Sequence, residues 1–215
     1  MSKKIGIIGS GSVAQTLAAG FVKHGYEVKM GSRDVKKLEE FAGKHSGKVT
    51  IGSFADAATF GNIVVLAVKG KAAKDALALA GAANLKGKTI IDPTNPIEDA
   101  PPENGVLKFF SQINRSLMED LQEACPDAHF VKAFSMIGGP HMVNPQFTSA
   151  PTMFICGNNA GAKKDVSDVL VKFGFEVEDM GAATAARAIE PLCILWCIPG
   201  MTGGGWNHAF KLLRK

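Results

Sequence analysis

Short apolar runs alternate along the chain with segments whose apolar residues recur at helical spacing. The first run lies at residues 5–8 and is followed by a turn that contains two glycines. Val13, Leu17 and Phe21 then recur at i, i+4 and i+8, which is helical spacing. Apolar strand character returns at residues 26–30. This order predicts a strand, a glycine turn, a helix and a second strand, which together form a βαβ unit.

The same alternation continues to the last part of the chain. Further strands are predicted at 49–51, 63–68, 89–92, 129–133, 152–156 and 176–179. The unbroken apolar run at 63–68 is typical of a strand covered on both faces of a parallel sheet. We therefore predict an α/β fold, a doubly wound Rossmann-type and mostly parallel sheet with a short helical C-terminal appendage.

The predicted appendage divides the chain into two parts of one structural domain. Residues 1–182 form the nucleotide-binding Rossmann domain, and residues 183–215 form a helical segment that packs on this domain or on a partner subunit. Within this segment, 183–198 is predicted as a helix that ends at the Pro199–Gly200 pair, and 206–215 as a short closing helix. The apolar face around Leu195 needs a covering surface, which favours a homodimer.

Composition narrows the function classes. The net charge of +4 is modest and both signs are interspersed, which argues against a nucleic-acid or anionic-membrane partner. The most apolar late run, 192–201, is too short to span a bilayer. Four cysteines show no metal or redox spacing, so we predict buried free thiols and no metal site. Free thiols and the lack of a signal peptide lead us to expect a cytoplasmic protein.

The first turn carries the strongest functional pattern. Gly9, Gly11 and Ala14 form a G-x-G-x-x-A motif that follows a strand and opens a helix, as dinucleotide binding requires. Glycines leave backbone N–H groups bare, so a pyrophosphate can approach them at the N-terminus of a helix. The motif predicts a dinucleotide site.

The end of the second strand predicts which dinucleotide binds. NAD-specific sites usually carry an acidic residue about 20 residues after the glycines, whereas this chain has Gly31, Ser32 and Arg33 there, followed by Lys37. A guanidinium binds a 2′-phosphate through charge-assisted hydrogen bonds, and a carboxylate would repel it. The pattern predicts NADP(H), with Asp34 as the cap of the next helix.

Two later turns also lie at carboxyl ends of strands, where ligands bind in open α/β sheets. Thr94 and Asn95, in the proline-flanked loop 92–96, offer small polar groups to a carboxamide or a substrate oxygen. The irregular stretch 97–115 is predicted to cover the site, with one of its two adjacent phenylalanines buried against cofactor or protein. No convincing acid–base set occurs, and we assign no catalytic residue. Glu190 is predicted to be a packing or capping residue.

Seven blocks together resemble the deazaflavin-dependent NADP oxidoreductases, within the NADP oxidoreductase coenzyme-binding family. The NADPH-binding domains of the six-transmembrane epithelial metalloreductases are similar too. The blocks are Ile8–Val13, Gly31–Arg33, Asp92–Pro96, Val131–Phe134, Phe154–Gly157, Ala186–Leu192 and Ala209–Leu213. The resemblance covers nearly the whole chain and implies an NADP-dependent enzyme whose acceptor is a flavin or deazaflavin.

The resemblance also implies roles for single residues. The pyrophosphate contacts would come from Ser10, Gly11, Ser12 and Val13, and those to the 2′-phosphate from Ser32, Arg33 and Lys37. Val68 and Lys69 would lie beside the nicotinamide ribose, Asn95 and Gly139 near the nicotinamide, and Ser135 and Ile137 at the deazaflavin ring. The chain departs from the family pattern at Ser135, where relatives usually carry Asn or His, and in its long 97–115 loop.

Three hypotheses follow for the function. The first is hydride transfer between NADPH and a flavin-like or deazaflavin acceptor, which depends on positioning more than on acid–base groups. The second is reduction of a small carbonyl or imine, as in β-hydroxyacid dehydrogenases and pyrroline-carboxylate reductases, although those carry a long helical second domain. The third is a non-catalytic NADPH sensor.

Overall fold

The computed structural model describes residues 4–45 and 47–215. Residues 1–3 of the predicted nucleotide-binding domain lie outside the described residues. The strands are β1 Lys4–Ile8, β2 Glu27–Gly31, β3 Val49–Gly52, β4 Ile63–Leu66, β5 Thr89–Asp92, β6 His129–Lys132, β7 Thr152–Ile155 and β8 Glu176–Asp179. The helices are α1 Ser12–Lys23, α2 Glu39–Gly43, α3 Phe54–Phe60, α4 Ala73–Ala80, α5 Ala82–Leu85, α6 Leu117–Ala124, α7 Ala160–Lys172, α8 Ala186–Ile189 and α9 Leu192–Met201.

Six strands form one parallel sheet in the order β3-β2-β1-β4-β5-β6. This is the strand order of the doubly wound dinucleotide-binding fold, and the order reverses between β1 and β4. All four residues of β4 are buried, as expected for a strand in a parallel sheet with helices on both faces. The predicted fold class is confirmed.

The last two strands form a separate parallel pair, β7 with β8. This pair is joined to the main sheet by a single antiparallel bridge between Lys132, at the end of β6, and Cys156. The pair therefore extends the fold beside β6, at the edge of the main sheet.

Two helices start at complete capping boxes. Ser53 and Asp56 satisfy each other's backbone N–H groups at the start of α3, and Ser116 and Glu119 do the same for α6. Asp34 accepts a hydrogen bond from the backbone N–H of Lys36 at the start of a 3-10 turn, so its predicted capping role is confirmed.

The C-terminal helices are present, but the predicted closing helix at 206–215 is wrong. These ten residues have no helical turn and run beside β7, where the backbone N–H of Thr152 donates to the carbonyl of Phe210 at 2.9 Å. A helix this short is marginal by itself, and pairing satisfies a strand edge instead. Helix α9 also continues two residues beyond Pro199, to Met201. The division at residue 182 remains a prediction.

An aromatic stack joins α9 to this extended tail. The indole N–H of Trp196 donates to the carbonyl of His208 at 2.9 Å, and their rings lie 4.9 Å apart. The ring of Trp206 lies 5.4 Å from that of Trp196. Trp196 also fills the space beside Gly138, where a Cβ would come within 2.4 Å of the indole. The stack therefore packs against the turn after β6.

Candidate functional site

The glycine turn after β1 has the backbone geometry that its motif requires. Gly9 has a φ of +140°, and a Cβ there would lie 2.1 Å from the carbonyl oxygen of Ala67. Glycine is therefore the residue that this position accepts. At Gly11, by contrast, a Cβ would meet no protein atom within 4 Å. Open space thus lies above the first turn of α1, whose N-terminal N–H groups have no side-chain cap.

A cavity of about 290 Å³ extends from this turn to the end of β2, and we call it the basic cavity. Its walls include Ser10, Ser32, Arg33 and Lys37. Ser32 is buried, and its hydroxyl donates to the Ser10 hydroxyl at 3.3 Å. Arg33 and Lys37 are exposed and form no ion pair within the described part of the chain. This end of the groove therefore presents two cations suited to a phosphate.

A second cavity of about 460 Å³ lies on the other side of the glycine turn, and we call it the loop cavity. Gly11, Val68 and Lys69 belong to the walls of both cavities, so the two form one continuous groove. The groove crosses the carboxyl ends of β1 and β4, where the strand order reverses, which is the usual ligand position in this fold.

The outer wall of the loop cavity is the proline-flanked segment after β5. Asp92 is fully buried, and its Oδ1 accepts hydrogen bonds from the Thr94 backbone N–H at 2.9 Å and hydroxyl at 2.6 Å. Thr94 and Asn95 both line the cavity. The Asn95 side-chain amide donates to the carbonyl of Ser135 at 2.7 Å, which joins this segment to the turn after β6.

The turn after β6 contains two unusual features. Phe134 is buried at a φ of +63°, a left-handed conformation that is strained for a residue with a side chain. Within the described part of the chain, the buried Oδ1 of Asn95 and the Oγ of Ser135 have no hydrogen-bond partner. Buried polar groups are normally paired, so these two atoms are available to a group not yet in the site.

Residues 97–110, in the stretch that was predicted to cover the site, fold into a hairpin. Ile97 pairs with Phe109 in an antiparallel bridge, and Phe110 N–H donates to the Pro96 carbonyl at 2.8 Å. Ile97 and Asp99 line the loop cavity. Phe110 is exposed and Phe109 half-buried, so the described residues bury neither ring fully, and burial of one ring against the cofactor remains a prediction.

The base of this hairpin also meets the groove electrostatically. The Asp99 carboxylate lies 3.6 Å from Lys69 Nζ and 3.5 Å from Lys71 Nζ, all at exposed positions. The hairpin tip contacts the end of α9, where a Cβ on Gly105 would lie 2.7 Å from Thr202. The hairpin therefore spans from the mouth of the loop cavity to the C-terminal helices.

Most of the predicted site residues meet at the groove. The two cavities are lined by Gly9, Ser10, Gly11, Ser12, Val13, Ser32, Arg33, Lys37, Val68, Lys69, Thr94 and Asn95. Ser135, Ile137 and Gly139 line neither of these two cavities, and the first two are buried. Gly139 lies beside α1, where a Cβ would approach the Thr16 hydroxyl to 3.9 Å.

Sequence reasoning missed one charged residue that is buried behind the loop cavity. Lys132, at the end of β6, is fully buried, with its Nζ 2.7 Å from Asp92 Oδ2, 3.0 Å from Glu190 Oε1 and 2.8 Å from the Thr94 carbonyl. Burial works to lower the pKa of Lys132, but the two carboxylates outweigh burial and raise this pKa. The signal in the sequence is a single charge inside an apolar strand.

Glu190 completes this cluster and confirms its predicted capping role. Its two carboxylate oxygens accept the backbone N–H groups of Leu117 at 2.9 Å and Met118 at 3.0 Å, in the first turn of α6. A carboxylate at this end of a helix satisfies free N–H groups and matches the helix dipole.

No helix within residues 4–45 and 47–215 is long and apolar enough to cross a membrane.

Comparison with known proteins identifies the family. A family model described as NADP oxidoreductase, coenzyme F420-dependent, matches residues 4–96. A crystal structure of a candidate F420-dependent NADP reductase from Arthrobacter sp. FB24 superposes with a TM-score of 0.91 and is 32% identical, covering 99% of this chain and 100% of the other. This chain belongs to the family of coenzyme F420-dependent NADP oxidoreductases. Its predicted class, an NADP-dependent oxidoreductase, is confirmed at the level of the family.

Two other matches differ more from this chain, one in its length and the other in its sequence. Metalloreductase STEAP3 of Rattus norvegicus is 31% identical over 94% of this chain, which spans only 39% of that relative's length. A reductive aminase from Aspergillus terreus, solved with NADPH, superposes with a TM-score of 0.68 at 16% identity, over 95% of this chain and 64% of the other. That likeness shows a shared fold.

Proposed function

We propose that this protein transfers hydride between NADPH and a deazaflavin or flavin acceptor. The carrying observation is the continuous groove, which joins a cationic end to a second cavity of about 460 Å³ next to the same glycine turn. A hydride transfer needs two ring systems held face to face, and a groove with two adjoining compartments suits that task. The family description supports the choice of a deazaflavin, because it names coenzyme F420.

The residues of the basic cavity fit NADP(H). Open space above Gly11 and the uncapped first turn of α1 suit a pyrophosphate. Arg33 and Lys37 are exposed cations of the cavity wall that suit a 2′-phosphate, and Ser32 adds a hydroxyl. The chemistry supplied by the bound cofactor is hydride donation from its reduced nicotinamide ring.

Residues of the loop cavity and of the turn after β6 would orient the reacting rings. Val68 and Lys69 form the floor between the two cavities, and we assign them to the nicotinamide ribose. Asn95 offers its unpartnered Oδ1 to the carboxamide, with Gly139 nearby in the turn after β6. Thr94, Ser135 and Ile137 are assigned to the acceptor side, where Ser135 carries an unpartnered hydroxyl. We assign no acid or base role to any of these groups.

An acceptor panel tests the proposal. Purified protein is mixed with NADPH and, separately, coenzyme F420, FMN, FAD, a ferric chelate, a 3-keto acid and a cyclic imine, and the loss of nicotinamide absorbance is followed. Rapid oxidation with the deazaflavin or a flavin, and slower oxidation with NADH, is the expected result. Tight NADPH binding without oxidation by any acceptor would contradict the proposal and favour a sensor. The ferric chelate is included because the matched relative is a metalloreductase.

We also propose a homodimer that uses the C-terminal helices. Leu195, Met201 and Trp206 are exposed apolar residues on or just after α9. Other members of the predicted apolar face are covered within the chain, since Ile189 and Trp196 are buried. Light scattering coupled to size-exclusion chromatography measures the mass directly, and a monomer that persists at micromolar concentration would contradict the proposal.

A further inference from the structure

Three ionisable side chains are enclosed together behind the loop cavity. Asp92, Lys132 and Glu190 come from β5, β6 and the end of α8, and none is more than 1% exposed. An ammonium has three N–H donors. Three oxygens surround Lys132 Nζ, namely Asp92 Oδ2 at 2.7 Å, Glu190 Oε1 at 3.0 Å and the Thr94 carbonyl at 2.8 Å. The protein therefore surrounds Lys132 with one hydrogen-bonded carbonyl and two carboxylates.

The three oxygens that contact Lys132 belong to two supporting parts of the fold. The Thr94 carbonyl is part of the wall of the loop cavity, and Asp92 holds the same segment through the Thr94 N–H and hydroxyl. Glu190 holds the first turn of α6. Lys132 thus connects the cavity wall to the helices behind it, and reaches the wall by two routes.

Stability alone is a poor explanation for this arrangement. Taking one cation and two carboxylates out of water is costly, and well-packed apolar residues often replace such buried clusters without loss of stability. Apolar residues, however, do not make the directional contacts that fix one backbone segment relative to another. One hydrogen bond and two close ion pairs made by a single ammonium fix the positions of the backbone segments around it.

We infer that Lys132 is a positioning residue that fixes the segment from Asp92 to Asn95 as a wall for the reacting rings. The inference rests on the proposed function. Lys132 does not touch the cavity, so it acts through Thr94 and Asp92 and not as a donor to a substrate. A wall displaced by even a fraction of an ångström would slow a reaction that depends on alignment, while the basic cavity, on the other side of the glycine turn, would keep its nucleotide affinity.

The decisive variant is Asp92→Asn combined with Lys132→Met. Lys132→Met alone leaves two buried carboxylates without a cation, whereas the double variant leaves only Glu190 charged and keeps the net charge of the cluster at −1. It also keeps an Oδ1 for Thr94 and leaves the Glu190 contacts with α6 unchanged. Asp92→Asn alone, which retains the Lys132 bond to the Thr94 carbonyl, is expected to lie between wild type and the double variant.

Four quantities are measured on the full chain: kcat and KM with the best acceptor of the panel, the NADPH dissociation constant from nicotinamide fluorescence, the thermal midpoint, and amide hydrogen exchange. In the double variant we expect kcat to fall at least tenfold per folded molecule, the NADPH dissociation constant to stay within twofold, and exchange at Thr94 and Asn95 to accelerate. Lys163→Met is the matched control. It breaks a lysine contact with Asp179 at 2.8 Å and, because neither residue lines the groove, it should leave kcat unchanged.

Several outcomes would overturn the inference. The inference fails if kcat falls only in proportion to the folded fraction. It also fails if NADPH affinity falls as much as kcat, or if exchange at Thr94 is unaltered. If wild type oxidises NADPH with no acceptor, the proposed function fails, and the exchange comparison still decides the role of Lys132. Asp92→Asn with Lys132→Gln, which keeps an amide donor in the cluster, is measured in parallel so that poor folding of the first variant does not prevent the test.

Discussion

The basic cavity and the loop cavity are assembled over different ranges of the sequence. The glycine turn and the cationic end of the basic cavity come from two nearby segments, 9–11 and 32–37, while the rest of its wall comes from Phe54 and from residues 67–79. Its Ser10–Ser32 bond joins consecutive strands of one βαβ unit. The loop cavity depends on contacts between distant segments, such as Asn95 with Ser135 and Lys132 with Glu190. A local backbone motif can therefore supply phosphate binding, whereas the position of the acceptor requires much of the remaining fold.

The largest effect is expected at the glycine whose backbone shapes the basic cavity. In Gly9→Ala the new Cβ would collide with the Ala67 carbonyl at 2.1 Å and strain a backbone held at φ +140°. We expect a loss of about 4 kcal/mol in the free energy of unfolding and no measurable NADPH binding. Urea unfolding and fluorescence titration measure the two losses.

Gly11→Ala is the matched control for that variant. Its Cβ meets no protein atom within 4 Å, so the free energy of unfolding should change by less than about 0.5 kcal/mol. NADPH binding should nevertheless weaken about tenfold, because the methyl group occupies space that we assign to the pyrophosphate. Equal stability losses in the two variants would contradict the distinction between a structural and a ligand-facing glycine.

The second effect concerns the helices that support the loop cavity. Hydrogen bonds from Arg187, helped by Ser116 and opposed by burial, lower the pKa of Glu119 from 4.5 to about 2. Because the folded-state pKa is lower, the carboxylate stabilises the protein above pH 4.5, and this stabilisation is lost as the pH falls from there to about 2. Because Arg187 is 40% exposed and solvent screens the pair, this stabilisation at neutral pH is on the order of 1–2 kcal/mol.

Glu119→Gln measures that contribution. The difference in the free energy of unfolding between wild type and this variant should be largest above pH 5 and shrink towards pH 2, as followed by urea unfolding. Glu123→Gln is the control, because Glu123 also pairs with an arginine but is exposed, and exposed pairs contribute little. A difference that does not vary with pH would show that the Glu119 charge is not responsible.

The third effect tests the choice of nucleotide in the basic cavity. Arg33→Ala removes a cation that we assign to the 2′-phosphate, and a charged hydrogen bond contributes about 1.5–3 kcal/mol. The preference for NADPH over NADH should therefore fall about tenfold or more, with the affinity for NADH almost unchanged. Lys164→Ala, an exposed cation on α7, should leave the ratio of the two dissociation constants as it is.

The smallest effect is expected at the mouth of the loop cavity. Asp99→Asn releases Lys69 and Lys71 from an exposed carboxylate, and exposed pairs contribute about 0.2–1 kcal/mol. We expect NADPH affinity to rise by up to about fivefold at low salt, and the gain to shrink at high salt. Glu103→Gln changes a similar pair with Lys108 in the same hairpin and should have no effect on affinity.

The same difference in range explains what could be predicted from the sequence. The βαβ unit, the Asp34 cap and the sheet class depend on spacing and on neighbouring residues, and each was predicted. Glu190 was predicted to be a packing or capping residue, and it caps α6. The contact between Glu190 and α6 was not predicted, because two segments more than seventy residues apart in the chain share no local sequence pattern.

Lys132 was missed for a related reason. A single lysine is normally a surface residue, and only two carboxylates brought from β5 and α8 make its burial possible. The left-handed backbone of Phe134 has no sequence signal either, because this conformation is imposed by the packing around it. The extended tail was mistaken for a helix because the pattern of 206–215 does not show that the edge of β7 is open to it.

The aromatic stack on α9 has a practical consequence for separating the two halves of the groove. The chain contains two tryptophans, and both belong to this stack, with Trp196 against Gly138 in the turn after β6. Intrinsic emission therefore reports on one corner of the molecule, near the side assigned to the acceptor, while reduced nicotinamide provides its own emission from the groove. Tryptophan emission can thus follow the acceptor side, and nicotinamide emission the cofactor, in one unlabelled sample. Energy transfer from the tryptophans to the nicotinamide would report how close the bound cofactor lies to the aromatic stack.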